Sequence, residues 1–244
     1  MDSNRYLDPF HTNRTRALVV MALVGVGMLL DLAAIAVEGS QASLLSGIAT
    51  GQTVSAADAE ANDARVQLVA ILALLVFLVT AVAFLLWIHR AHKNLESLGA
   101  SQLDYSPGWA VGGFFVPFLN LIRPFQVMRE IWKASDPDVD YQNASSWQYA
   151  ASSPLIGFWW GTWILSGVLG RLVFSFSRDA KTVDALLSMT HLSIASDVVN
   201  LIPAVLVVVL IRSIEARQQQ KHERLTEFWA QQHDQPKQPT GGSY

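Results

Sequence analysis

Residues 106–135 read SPGWAVGGFFVPFLNLIRPFQVMREIWKAS, a run that begins like a membrane helix and then places Pro117, Arg123 and Pro124 where lipid would be. Its apolar part, Trp109–Ile122, is about 14 residues, or roughly 21 Å as a helix. A hydrocarbon core is about 30 Å thick, so this stretch is short of a full crossing. Ser106 is placed to cap a helix that Pro107 starts. Pro117 removes a backbone donor halfway along, and Gly112 and Gly113 add freedom just before it. These features predict a re-entrant or broken segment whose freed carbonyls are satisfied by neighbouring helices. Beyond the break, Pro124–Ala134 sets Phe125, Met128, Ile131 and Trp132 near one face and Gln126, Arg129, Glu130 and Lys133 elsewhere. That is the pattern of an amphipathic interfacial helix, started by Pro124 and stopped at Asp136-Pro137-Asp138.

Composition agrees with a membrane setting: of 244 residues, 51% are hydrophobic and 15% charged. A formal charge of −3 gives no bulk attraction to nucleic acid, and the absence of cysteine excludes disulfides, thiolate metal sites and cysteine nucleophiles. Four stretches have the length and apolarity of spans: Ala17–Val37, Val66–Ile88, Leu155–Phe174 and Ile194–Ile214. Arg14 and Arg16 precede the first, and Ala34-Ile35-Ala36 resembles a cleavage site, but the apolar run is too long for a signal peptide, so an uncleaved span is expected.

Basic residues accumulate on the cytoplasmic side of membrane proteins. If residues 109–122 do not cross, Arg14, Arg16, Arg90, Lys93, Arg123, Arg129, Lys133, Arg212, Arg217, Lys221 and Arg224, with Arg5 and Lys237, all share one side. A full crossing would divide them almost evenly. The expected fold is therefore an all-α, multi-pass membrane helix bundle with four spanning helices, one re-entrant or broken segment and an amphipathic interfacial helix. Residues 1–16 form a cytoplasmic N-terminal segment, 17–214 the membrane domain, and 215–244 a cytoplasmic helix extension and disordered tail, with both termini inside. Ser55 and Asp58 make an S-x-x-D start signal for the second long helix. Ile211, Ile214, Leu225 and Phe228 fall on heptad positions interrupted by Gln218 and Lys221, a weak coiled-coil pattern.

The run from Trp87 to Ser135 resembles a bacterial multi-pass membrane family known as domain of unknown function 4328. The residues that carry the resemblance are Trp87, Arg90 and Asn94, then Ser106-Pro107-Gly108-Trp109-Ala110, Phe115-Val116-Pro117, Asn120-Leu121, Arg123-Pro124 and Glu130-Ile131-Trp132, with FWWGTWILS beginning at Phe158. It covers roughly residues 65–215. The resemblance implies a bacterial cytoplasmic (inner) membrane location and no established activity.

Side chains with chemical potential each have a plain structural explanation beside them. Arg123 can snorkel to headgroups or cap broken-helix carbonyls, and with Arg90, Arg129 and Lys133 it can also complete a basic pocket for anionic lipid. Phe125 and Trp132 are candidate contacts for a lipid or protein partner. His89, His92 and Glu96 share a helical face and could present ligands to a metal, but no further ligand motif joins them, so no metal or cofactor is expected. Asp31, inside the first span, is a candidate pathway or structural residue, as are Pro117 and Asn120 at the break; Arg171 is a candidate partner for Asp31. Gly157, Gly161, Ser166 and Gly170 make a small-residue stripe that favours close helix packing, within the chain or in a homo-oligomer. Asp136, Asp138 and Asp140 alternate like a calcium loop, yet Tyr141 and Trp147 occupy positions where such a loop needs glycine and glutamate, leaving a solvated turn. No GxSxG, Walker or dinucleotide motif occurs. The leading function is a membrane scaffold or accessory subunit that binds a protein partner or anionic lipid through residues 106–135. A small transporter or channel using the break near Pro117–Asn120 comes second, and an integral membrane enzyme third.

Overall fold

A computed structural model describes residues 9–234; Arg5, Lys237 and the terminal part of the tail, residues 235–244, lie outside the described residues. All regular structure among the described residues is helical: α1 (Arg14–Ala49), α2 (Ala56–Ser97), α3 (Pro107–Gly112), α4 (Arg123–Ala134), α5 (Pro154–Ser177) and α6 (Val183–Asp234), with 3₁₀ turns at Leu119–Leu121 and Ser146–Tyr149. The long helices overrun the apolar stretches because their ends are set by caps. The Ser55 hydroxyl accepts from the Asp58 amide at 3.1 Å, which starts α2 where the S-x-x-D signal predicts. Gly99, with φ +80°, ends it in the left-handed conformation that favours glycine. Ser153 caps α5, and α6 carries buried Pro203 without ending and continues to Asp234.

Three helices, α1, α2 and the Val183–Gln232 part of α6, are long and apolar enough to cross a membrane. The 24-residue α5 is not one of the three, its aliphatic residues being interrupted by three tryptophans, Thr162, Ser166 and Arg171. α1 packs on α2 and α6, α5 packs on α6, and the short α3 and α4 pack against α2 and α5. The start of α1 meets the end of α2, where the Asn13 amide donates to the Trp87 carbonyl at 3.0 Å. It also meets the late part of α6, because Asn94 bridges the His11 carbonyl and Gln218.

Burial is concentrated at that end. Trp87, Ile88, Ala91 and Leu95 of α2, Val127, Met128, Ile131 and Ala134 of α4, and Leu210, Ile211 and Ile214 of α6 form one core. By contrast, the most apolar 18-residue window of α2 has no buried residue at all. The apolar residues of α4 therefore meet protein: Met128 and Ile131 are buried, and Phe125 and Trp132 are half-buried against the same core.

Four details depart from the sequence reading. The broken segment is less helical than a half-helix: α3 stops at Gly112, before Pro117, and the chain proceeds through turns to Leu121. Phe118 lies at φ 65°, a conformation costly for a bulky residue, and its ring is 84% exposed. The α5 stripe is only partly used within the chain: a methyl group added at Gly157 would lie 4.0 Å from Phe125, but Gly161 and Gly170 are exposed and one added at either would meet nothing within 4 Å. The heptad stripe of α6 is used inside the chain, with Ile211, Ile214, Gln218 and Lys221 all buried. Finally, the acidic turn is paired with α6: Asp136 meets Arg217 at 2.8 Å and Asp138 meets Arg224.

Candidate functional site

The most chemically organised region is the buried polar junction where α2, α4 and α6 meet. The Gln218 amide donates to the Ala91 carbonyl at 2.8 Å and to the Ser135 hydroxyl at 3.1 Å, and its oxygen accepts from Asn94 at 3.2 Å. One glutamine thus ties three elements. The Lys221 ammonium donates to the Ala134 carbonyl at 2.7 Å, the C-terminal carbonyl region of α4, where a cation is favoured. Burial pushes Lys221 down to about 8, with Asp136 opposing and Arg217 adding to the shift. His92 Nε2 faces Glu130 at 3.3 Å, and the other Glu130 oxygen accepts the Asp104 amide. Trp87 Nε1 donates to Glu215 at 2.8 Å, so a fully buried indole also anchors α6. Unmade hydrogen bonds inside a core cost about 1–3 kcal/mol each, so this network fixes one arrangement of the three helices.

The broken segment is fastened to this junction. Trp160 Nε1 on α5 donates to the Leu121 carbonyl at 2.8 Å, satisfying a carbonyl that the break frees. Arg123 is half-buried, its guanidinium 4.8 Å from the centre of the Tyr105 ring, while Tyr105 donates to Gln126 at 3.0 Å. A β-carbon at Gly113 would approach Arg123 Cβ to 2.9 Å, so glycine is needed there for space. Trp109, Phe115, Phe118, Leu121 and Ile122 leave an exposed apolar edge along the break.

Arg129 is exposed, 5.6 Å over Phe125, and Lys133 donates to the Gln148 carbonyl. Arg217 lies 4.5 Å over the Trp132 ring, and Arg90 is half-buried. His92 is buried while His89 and Glu96 are exposed, so the three do not converge; among the described residues no three metal-ligating groups do. Pro117 is exposed and Asn120 half-buried. Asp31 accepts from Asn200 of α6 at 3.1 Å, which makes that amide, and not Arg171, its partner.

Over residues 50–216 the sequence matches the family described as Domain of unknown function (DUF4328). The chain belongs to that family. No curated protein and no solved structure matches it. The DUF4328 region begins at the end of α1 and stops within α6, so it contributes Trp87, Asn94, Glu130 and Ser135 to the junction, whereas Asn13, Gln218 and Lys221 lie outside it. Sequence reading missed Gln218 and Lys221 as junction residues. Their signal was present as polar side chains at heptad core positions, which in a buried stripe demand partners.

Proposed function

We propose that this DUF4328 protein is a four-span membrane scaffold, both termini cytoplasmic, whose basic end presents a rigid platform to a protein partner. The observation that carries this reading is the Gln218 junction, which locks α2, α4 and α6 together at one end while the apolar windows of the long helices remain largely exposed. A platform needs fixed geometry in water, and the hydrogen-bonded core supplies it. In this reading α5 is the third span. The exposed edge from Trp109 to Ile122 enters the membrane boundary as a re-entrant wedge, and α4 rides at the interface with its core-facing side covered by protein. Arg129 and Tyr149, the latter 88% exposed, then form the presented surface. Arginine and aromatic residues are the types that most often anchor protein interfaces.

A photo-crosslinking residue at Tyr149, in native membranes, tests this directly. The scaffold reading expects a discrete protein adduct from that position and only lipid adducts from Leu75, an exposed span residue. No protein adduct at Tyr149 or Arg129 would remove it. Replacing Phe125 and Trp132 is a poorer test, because both are half-buried and their loss perturbs the core.

A small transporter is the second reading, favoured by the Asn200–Asp31 hydrogen bond between two span helices. Polar pairs at such depth mark pathways in many transporters. It requires ion or substrate flux in proteoliposomes that Asp31→Asn abolishes.

A further inference from the structure

Outside the 106–135 segment, and largely outside the DUF4328 region on its α1 side, a groove of about 820 Å³ runs between the start of α1 and the late part of α6. Its volume lies within the roughly 300–1,000 Å³ of small-ligand clefts. The two walls are polarised along the helix axes. Toward the apolar spans they carry Leu18, Met21 and Val208; toward the basic end they carry Arg14 and Arg212. Met21 is seven positions further along α1 than Arg14, so the apolar floor extends roughly 10 Å from the arginine. Both arginines are exposed, and neither makes an ion pair among the described residues. Glu215 is the one carboxylate on the wall, and it accepts from Trp87 Nε1 on α2. Two cations therefore face one carboxylate already engaged elsewhere.

The first turn of α1 adds to the positive side of this balance. Asn13, at the N-cap, makes no side-chain hydrogen bond to the helix: its amide nitrogen donates to the Trp87 carbonyl, and its oxygen, the atom that could accept from the first turn, has no partner among the described residues. The Thr12 hydroxyl accepts from the Arg14 amide at 3.4 Å, and the positive end of the helix dipole still lies beside Arg14.

We propose that this groove binds one anionic phospholipid, with its headgroup phosphate between Arg14 and Arg212 and an acyl chain along Leu18, Met21 and Val208. The apolar floor is what distinguishes a lipid from a free anion, which would use the arginines alone. The excess of guanidinium over carboxylate is what selects an anionic headgroup over a zwitterionic one. The site is independent of the scaffold reading: it requires the same membrane embedding but neither the broken segment nor a protein partner.

Native mass spectrometry of the purified full chain, titrated with phosphatidylglycerol or phosphatidylcholine, tests the site. The wild type is expected to retain one phosphatidylglycerol in preference to phosphatidylcholine. The double substitution Arg14→Gln/Arg212→Gln should weaken phosphatidylglycerol retention about tenfold or more, from roughly 1 kcal/mol per basic residue, and leave phosphatidylcholine unchanged. Leu18→Trp, which fills the floor at an exposed position and keeps both arginines, should weaken it as well. Inorganic phosphate at the same concentration should not displace the lipid. Equal retention of the two lipids, or unchanged phosphatidylglycerol retention in both variants, overturns the proposal. Displacement by inorganic phosphate overturns it in favour of a free-anion site, and a dimer that the double substitution dissociates without lipid overturns it in favour of a second copy.

Discussion

α2 contains two regions that bury their residues in opposite ways. Its most apolar window is wholly unburied, with Phe77, Val82 and Leu86 at 58%, 59% and 60% exposure, while the stretch from Trp87 to Leu95, which carries His92 and Asn94, supplies six residues to the interior. In water that order is reversed, since apolar surface is what water drives inward. Lipid removes the drive for one apolar side chain to leave solvent for another, so span residues can stay outside the protein. At the end of the helix water returns as solvent, and a conventional core forms around Trp87. Under the proposed embedding, the contrast marks where the membrane stops along a single helix.

The largest effect that separates the two regions is expected at Trp87. Truncating a buried tryptophan to alanine costs about 3–5 kcal/mol, and here it also strips Glu215 of its donor. Phe77→Ala, in the exposed window, should change resistance to heating in detergent far less. Comparable losses for the two would erase the distinction. Next comes Glu130→Ala, which leaves His92 and the Asp104 amide without their acceptor; a loss of about 1–3 kcal/mol per unmet group is expected in the same thermal assay, and Glu130→Gln should be milder.

Glycines sharpen the comparison further. Gly113→Ala forces its new methyl group against Arg123 Cβ at 2.9 Å and should destabilise by about 1–3 kcal/mol, whereas Gly161→Ala, with open space around it, should be nearly neutral. The last comparison is of pH profiles. Lys221 is held at about 8 in the folded chain against 10.5 for the free side chain. The unfolded chain binds the proton more tightly between those values, so this group makes stability rise as pH increases from about 8 to 10.5 and leaves it flat below. Lys221→Met should remove that rise; an unchanged slope in thermal melts across this range would show that the lysine is not desolvated.

Much of this was legible in residues. The S-x-x-D start of α2, the Pro124 start of α4 and the DUF4328 resemblance from Trp87 to Ser135 are local signals, and each lies where sequence reading put it. The extent of the break was not legible, because Phe118 adopts a positive φ that no local preference announces. Long-range partners were hidden for a similar reason: Asn200 beside Asp31, or Asp138 beside Arg224, follow from how helices are aligned, which periodicity within one helix does not encode. The small-residue stripe of α5 shows the limit most plainly, since its spacing fits close packing but Gly161 and Gly170 have nothing within 4 Å of an added methyl group.

The central claim is that the packed, basic end lies in the cytoplasm and the opposite hairpins outside. Single cysteines placed in this cysteine-free chain at Gln52 and Lys181, in the two far hairpins, and at exposed Asp138 and Glu223, at the basic end, can be probed in intact cells with an impermeant thiol reagent. Buried Ser135 would be uninformative. The account predicts labelling at positions 52 and 181 in intact cells and at 138 and 223 only after permeabilisation. Labelling of position 138 or 223 in intact cells, or protection of 181, would contradict the four-span arrangement.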